Sequence, residues 1–180
     1  NKRKSKLMGK PVVIWDKFIR IYHWLIVIGF TLNYFVLEPG EAVHQWIGYS
    51  VWALVFARVV WSFVGPQRAR LSDFFPTPKR ISEHLRELKN RKIPKKSGHN
   101  AVGGILILLF WLLFLAQGAT GFLLEETDTF FGSTLVENIH EYIAHSLFIG
   151  ALIHVAAVLL TGWWGRIELI KPMITGRRKS

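Results

Sequence analysis

Apolar residues along the chain are gathered into four long blocks that polar segments separate. Uncharged stretches cover 21–37, 101–124 and 142–165, and the stretch 42–67 is interrupted only by Arg58. A helix needs about 20 mostly apolar residues to cross a bilayer, so each block is long enough for one transmembrane helix. The predicted spans, in chain order, are 17–37, 43–64, 100–123 and 139–164. This pattern predicts an all-α fold, a four-helix transmembrane bundle, with residues 1–180 forming a single membrane domain.

The longest polar segment, 65–98, joins the second and third spans. Within it, Ile81, Leu85 and Leu88 are spaced to share one face of a helix, which predicts a short amphipathic surface helix over 81–88. The basic residues around this helix favour contact with anionic lipid headgroups. Near the start of the chain, Asp16 is placed to cap the first span.

The chain has a formal net charge of +11, and its basic residues are confined to a few segments. Apart from Arg58, all Lys and Arg lie in 2–20, 66–96 and 166–179. The connections around Glu38 and Glu41 and over 123–138 carry only acidic charges. By the positive-inside rule, both termini and the loop 65–98 are cytoplasmic, and the acidic connections face outward. The charge therefore indicates an oriented membrane protein whose partner is the lipid bilayer, with no nucleic acid involved. The basic start followed by a full-length apolar run predicts an uncleaved anchor rather than a signal peptide.

Four histidines lie inside the spans or at their ends, namely His23, His44, His140 and His154. His140 and His154 are fourteen residues apart, about 21 Å along a helix and on nearly the same face. With the predicted orientation, His23 and His154 lie at an inner level, and His44 and His140 lie at an outer level. Two imidazoles per level match the axial positions of a haem iron. Zinc would instead favour a tetrahedral cluster that includes cysteine or carboxylate.

The chain contains no cysteine, which excludes disulfides, iron–sulfur ligation and covalent haem attachment. Any redox cofactor is therefore held without a covalent bond. The sequence predicts haem b, two per chain, with the four histidines as metal ligands. It predicts no catalytic residue, because an iron with both axial positions filled passes electrons rather than binding substrate.

Three further residues are candidates for cofactor binding. Arg58 is fourteen residues after His44 and so shares its helix face at the inner level. A guanidinium at this depth needs an anionic partner, such as a haem propionate, or must snorkel to the cytoplasmic surface. Arg20 is suited to a propionate or to a lipid phosphate. His99 is suited to a propionate or a quinone carbonyl, or to capping the third span.

Other residues near the histidines have more than one interpretation. Gly48 and Gly150, each about one turn from a predicted ligand, would either let a porphyrin approach the backbone or serve ordinary helix packing. His145 is about 180° around the helix from His154, which predicts a packing or polar role. His84, in the loop, is predicted to be solvated.

These segments resemble the bacterial cytochrome b561 family, which includes the b-type membrane subunits of nickel–iron hydrogenases. The resemblance rests on residues 13–24, 44–49 together with Arg58, 98–104 and 139–154. It implies a four-helix bundle with two b haems, whose axial ligands would be His23, His44, His140 and His154. The family exchanges electrons between a membrane quinone and a redox partner that is commonly periplasmic. Ala101 stands where hydrogenase-type members carry proline. The resemblance therefore supports the family more strongly than it supports the hydrogenase type within it.

The function predicted from these observations is electron transfer between the membrane quinone pool and a periplasmic redox protein, such as a c-type cytochrome or a dehydrogenase or hydrogenase subunit. The quinone is expected on the inner side, near Arg20, Arg58 and His99. One alternative is a superoxide:quinone oxidoreductase, which needs positive charge near the outer haem to attract its anionic substrate, whereas the outer connections are acidic. Another alternative is a haem-free metal or proton transporter that uses the histidines as a relay.

Overall fold

The regular structure of this protein is almost entirely helical. A computed structural model describes residues 12–90 and 101–178. Its four long helices are α1 (Lys17–Phe35), α2 (Ala42–Val64), α5 (Ala101–Glu126) and α6 (Thr134–Gly165). The shorter elements are a 3₁₀ turn (Gln67–Ala69), α3 (Leu71–Phe74), α4 (Pro78–Lys89) and α7 (Ile170–Thr175). Two-residue strands, β1 (Val12–Val13) and β2 (Arg177–Arg178), pair antiparallel with Val12 opposite Arg178.

The four long helices correspond to the four predicted spans, and each is long and apolar enough to cross a membrane. The predicted all-α membrane fold is therefore confirmed. The helices extend beyond the apolar blocks, because α5 ends at Glu126 and α6 begins at Thr134. Helical hydrogen bonding continues into polar residues where water or headgroups can solvate them, whereas the predicted bounds followed hydropathy alone.

The loop between α2 and α5 contains the predicted amphipathic helix, observed as α4 over Pro78–Lys89. Its earlier start is favoured by Pro78, whose missing N–H costs nothing in the first helical turn. The prediction that His84 is solvated is wrong, because its side chain is only 6% exposed and its Nδ1 lies 3.7 Å from Glu87 Oε2. Leu85, the next residue, is 54% exposed, so α4 turns the side that carries His84 toward the protein.

The chain divides into two compact units, each of which takes part of every long helix. The bundle unit consists of Ile21–Trp61 and Leu106–Ile153. The loop unit consists of Asn1–Arg20, Ser62–Ile105 and His154–Ser180, within which the described residues are 12–20, 62–90, 101–105 and 154–178.

In the bundle unit, glycines allow side chains to reach the backbone of a neighbouring helix. Trp52 of α2 lies so close to Gly118 of α5 that a Cβ there would overlap the indole ring. The indole Nε1–H of Trp52 donates to the carbonyl of Leu115 at 3.1 Å. The ring of Phe110 packs against Gly150 of α6, where an added Cβ would be 3.2 Å from Phe110 Cε1. This contact supports the packing interpretation of Gly150.

In the loop unit, the two ends of the described chain are tied together around Gly176. The carbonyl of Gly176, which has φ 78°, accepts from the backbone N–H of Ile14 at 2.8 Å. Arg20 Nη1 donates to the carbonyl of Ile174 at 2.7 Å. Asp16 caps α1 as predicted, since its Oδ1 accepts from the backbone N–H of Ile19 at 2.9 Å. The first turn of α1 is therefore fixed by both a cap and the C-terminal segment.

Candidate functional site

Two of the predicted ligands, His44 and His140, lie close together in the bundle unit. His44 is in the first turn of α2, and His140 is in the second turn of α6. Their ring centroids are 6.5 Å apart, and their planes are inclined by 56°. The structure thus brings two imidazoles from different helices to one place.

Both nitrogens of the His140 ring are hydrogen-bonded to side chains of α5. Gln117 Nε2 lies 2.8 Å from His140 Nε2. Thr120 Oγ1 lies 2.8 Å from His140 Nδ1. Gly121, next to Thr120, leaves room for the ring, because a Cβ there would be 3.4 Å from His140 Cε1. One turn of α5 therefore fixes the position and orientation of His140.

The surroundings of His44 are less complete. Its backbone carbonyl accepts from Asn33 Nδ2 of α1 at 3.0 Å. Its ring Nδ1 is buried and has no hydrogen-bond partner among residues 12–90 and 101–178. A buried polar atom without a partner is costly and calls for an explanation, such as a bound group that completes the site.

The spacing of the His44 and His140 rings matches what two axial imidazoles of one haem iron would require, and their role as ligands stays a prediction. A metal–imidazole bond is about 2.0 Å and the ring centre lies about 1 Å behind the ligand atom, so two rings on opposite sides of one ion have centroids about 6 Å apart. The observed 6.5 Å agrees with this spacing. At Gly48, one turn after His44, an added Cβ would make only an ordinary contact, with Asn33 Nδ2 at 3.5 Å. Within the described ranges, no three His, Asp or Glu side chains gather as a multidentate metal site would require.

Carboxylates lie beside this pair at the same end of the bundle unit. Glu125 Oε2 accepts from Gln45 Nε2 at 2.7 Å, and Glu126 Oε1 accepts from the Tyr49 hydroxyl at 3.0 Å. Both bonds join α2 to the last turn of α5. They hold negative charge within one or two turns of His44.

Arg58 is buried in the bundle unit, with only 3% of its side chain exposed. Its guanidinium carbon lies 5.1 Å from the centre of the Trp111 ring of α5, a distance typical of a cation–π contact. A side chain that snorkels to the surface would expose its guanidinium group, so the burial of Arg58 argues against snorkelling. Whether Arg58 also binds a propionate stays a prediction.

The remaining predicted site residues are not brought together by a described contact. His23 is on α1 in the bundle unit, with its ring edge-on to Trp24 at 5.1 Å, whereas His154 is on α6 in the loop unit. Their pairing stays a prediction. Arg20 takes part in the backbone contacts described above, and its role toward a propionate or a lipid stays a prediction. His99 lies outside the described residues.

The structure also shows polar contacts that the sequence reasoning missed. Gln117 and Thr120 interrupt a long apolar run, and Asn33 and Tyr34 do the same near the end of α1. Polar residues inside a span are the signal that would have found them, since such residues need partners there. His145 has the polar role that was predicted, with Nδ1 2.8 Å from the Tyr34 hydroxyl and Nε2 3.4 Å from Glu141.

A comparison with protein families places these features in a known group. A family model described as prokaryotic cytochrome b561 matches residues 14–176, which is nearly the whole described chain. No curated protein and no solved structure matches the chain. The match agrees with the four apolar helices and with an imidazole pair that fits haem iron. The chain belongs to the prokaryotic cytochrome b561 family and is a multi-pass membrane b-type cytochrome of electron transfer that binds haem b.

Proposed function

We propose that this protein carries electrons between a periplasmic redox protein and the membrane quinone pool, through two haem b groups per chain. His44 and His140 would hold one haem, and His23 and His154 the other. The haems supply one-electron chemistry when bound, and the protein fixes their ligands at two depths of the membrane. The observation that carries the proposal is the 6.5 Å separation of the His44 and His140 rings, which fits one iron between them.

The charge distribution supports an orientation in the bacterial inner membrane. The loop unit contains 22 of the 23 Lys and Arg residues, and the bundle unit contains seven of the twelve Asp and Glu residues. Basic segments stay on the cytoplasmic side, so both termini and the loop between α2 and α5 would be cytoplasmic. The end of the bundle unit that holds Glu125 and Glu126 would then face the periplasm.

The acidic end favours a partner with a basic docking surface. Glu125 and Glu126 are fixed by Gln45 and Tyr49, so their charges are presented in a defined place. Complementary charge speeds the encounter of two proteins. A c-type cytochrome or a dehydrogenase or hydrogenase subunit with a positive patch would be attracted. Superoxide is an anion and would be repelled by the same carboxylates. The superoxide:quinone activity is therefore the alternative function and not the preferred one.

The quinone site is proposed at the cytoplasmic level, near Arg20, Arg58 and His99. Arg58 supports this position because it is a cation buried within a span, where ionisable residues commonly serve function. A cation there suits either a propionate or a reduced quinone oxygen.

The proposal is tested with purified protein in vesicles that contain a quinone. The dithionite-reduced spectrum should show b-type bands equivalent to two haems per chain. A reduced basic c-type cytochrome outside the vesicles should reduce the haems, and then the quinone, faster than superoxide does. A chain without haem bands would contradict the proposal, and faster reduction by superoxide would favour the alternative.

A further inference from the structure

The hydroxyl group of Thr120 contacts both its own helix and the ring of His140. Thr120 Oγ1 lies 3.0 Å from the carbonyl of Ala116 and 3.0 Å from that of Gln117, both in its own helix. A hydroxyl has one proton to donate, and a carbonyl oxygen only accepts. These two carbonyls favour a proton of Thr120 that points at its own helix. The hydroxyl oxygen is then left to accept from His140 Nδ1 at 2.8 Å, and in that arrangement Nδ1 bears the hydrogen.

It follows that His140 Nε2 is the unprotonated nitrogen, because a neutral imidazole carries one hydrogen. The amide N–H of Gln117 then donates to the Nε2 lone pair at 2.8 Å. Gln117 Oε1 is buried and has no partner in the part of the chain that the structure describes. If the amide group of Gln117 moved away from His140, no described hydrogen bond to Gln117 Oε1 would have to break.

We propose that Thr120 and Gln117 act on His140 in opposite ways. Thr120 is a positioning residue that keeps Nε2 of His140 free of hydrogen. Gln117 occupies the Nε2 lone pair in this structure and would have to give up that position to the iron of a bound haem. This inference rests on the proposed role of His140 as a haem ligand, and extends it to the two residues that control the ligand atom.

The physical effect of Thr120 is on the strength of the ligand. An acceptor on the second ring nitrogen fixes the tautomer and raises the basicity of the ligating nitrogen, and its loss typically costs 10- to 100-fold in metal affinity. When the ligand becomes a weaker electron donor, ferric iron loses more stabilisation than ferrous iron does. Loss of the Thr120 hydroxyl should therefore weaken haem binding and raise the reduction potential of the same haem.

The test compares three variants of the haem-loaded protein. Thr120→Val removes the hydroxyl at nearly constant shape, and Thr120→Ser retains it. Thr127→Val is the matched control, because the Thr127 hydroxyl also donates to the carbonyl four residues earlier, that of Leu123 at 2.6 Å. Haem transfer to an excess of a soluble haem-binding protein gives the relative affinity, and a spectroscopic redox titration gives the two potentials.

We expect Thr120→Val to release one haem with an affinity about tenfold or more below wild type. One potential should rise, by about 59 mV if the ratio of ferric to ferrous affinity falls tenfold. Thr120→Ser and Thr127→Val should match wild type in both measurements. A Thr120→Val protein that behaves like Thr127→Val would overturn the role of Thr120.

Gln117→Leu should have the opposite effect. It removes the bond that competes for Nε2, and since a hydrogen bond contributes about 1 kcal/mol, haem affinity should increase about two- to tenfold. Unchanged or weakened affinity would overturn the role of Gln117. His140→Ala, measured alongside, separates this inference from the proposed function. If it retains both haems, the ligand assignment itself is wrong; if it loses one while Thr120→Val does not, only the inference fails.

Discussion

The bundle unit and the loop unit use their polar side chains in different ways. In the loop unit, arginines bind backbone carbonyls: Arg70 binds Gly65 at 2.9 Å, and Arg178 binds Glu168 at 2.9 Å. In the bundle unit, several polar side chains bind one another across helices, as Gln117 and Thr120 bind His140. Arginines of the loop unit therefore hold irregular segments of the chain through backbone carbonyls. Uncharged polar side chains of the bundle unit surround His140, which is proposed to bind haem.

The difference has a physical cause. Short helices and turns leave carbonyl groups without helical partners, and the five donors of a guanidinium satisfy several of them. Long transmembrane helices satisfy their own backbone, so a polar side chain among them finds another side chain, shares a backbone carbonyl or meets a bound group. Positive charge in this protein consequently says little about its function, whereas polar residues in the spans indicate where the function lies.

The largest effect on stability is expected at the contact between Trp52 and Gly118. Gly118→Ala places a Cβ against the indole ring, and overpacking of this kind costs about 1–3 kcal/mol. The midpoint of thermal unfolding in detergent measures it. Gly48→Ala is the control, since its Cβ would meet Asn33 Nδ2 at an ordinary 3.5 Å and should leave the midpoint near wild type. Equal midpoints for the two variants would mean that the close packing of the bundle unit does not depend on this contact.

A smaller effect is expected where arginine supports the loop unit. Arg80 Nη1 donates to the carbonyls of Ser72, Asp73 and Phe75 at 2.9, 3.2 and 3.4 Å. Arg80→Lys keeps the charge but not the planar set of donors, and should cost about 0.5–1.5 kcal/mol. Limited proteolysis of the segment between α3 and α4 should be faster than in Arg86→Lys, the control on the same helix. Equal cleavage would show that charge alone supports this segment.

A moderate kinetic effect is expected at the acidic end of the bundle unit. The double variant Glu125→Gln and Glu126→Gln should slow reduction by a basic c-type cytochrome a few-fold at low salt and flatten its dependence on ionic strength. Glu83→Gln, which removes an acidic charge from the loop unit, is the control and should leave the rate unchanged. If the Glu83 variant has the larger effect, the partner docks at the loop unit rather than at the acidic end of the bundle unit.

The smallest effect is expected at the Tyr34–His145 pair. Tyr34→Phe removes a 2.8 Å hydrogen bond to a ring that is half exposed, so the free energy of unfolding should change by less than about 1 kcal/mol. Haem content and both reduction potentials should stay at wild-type values, as measured by reduced spectra and redox titration. A shifted potential would show that His145 belongs to a haem site after all.

Much of the fold followed from hydropathy, because a bilayer sets both the length and the composition of a span. The four helices, the surface helix α4 and the Asp16 cap all rest on such local rules. The proximity of His44 to His140 is consistent with helix rise and orientation. Gln117 and Thr120 were not anticipated, because which face of α5 meets His140 depends on how the helices pack together, and the sequence of α5 alone does not specify that. The burial of His84 likewise depends on how α4 lies on the protein rather than on its own sequence.

The central claim is that two histidine pairs each hold one haem b. The measurement that tests it most directly is the number of haems per chain in wild type and in the single variants His23→Ala, His44→Ala, His140→Ala and His154→Ala, with His145→Ala as the control. We expect two haems in wild type and in the control, and one in each of the four variants. Two haems retained in any of those four would contradict the assignment of that histidine as a ligand, and retention in all four would contradict the account as a whole.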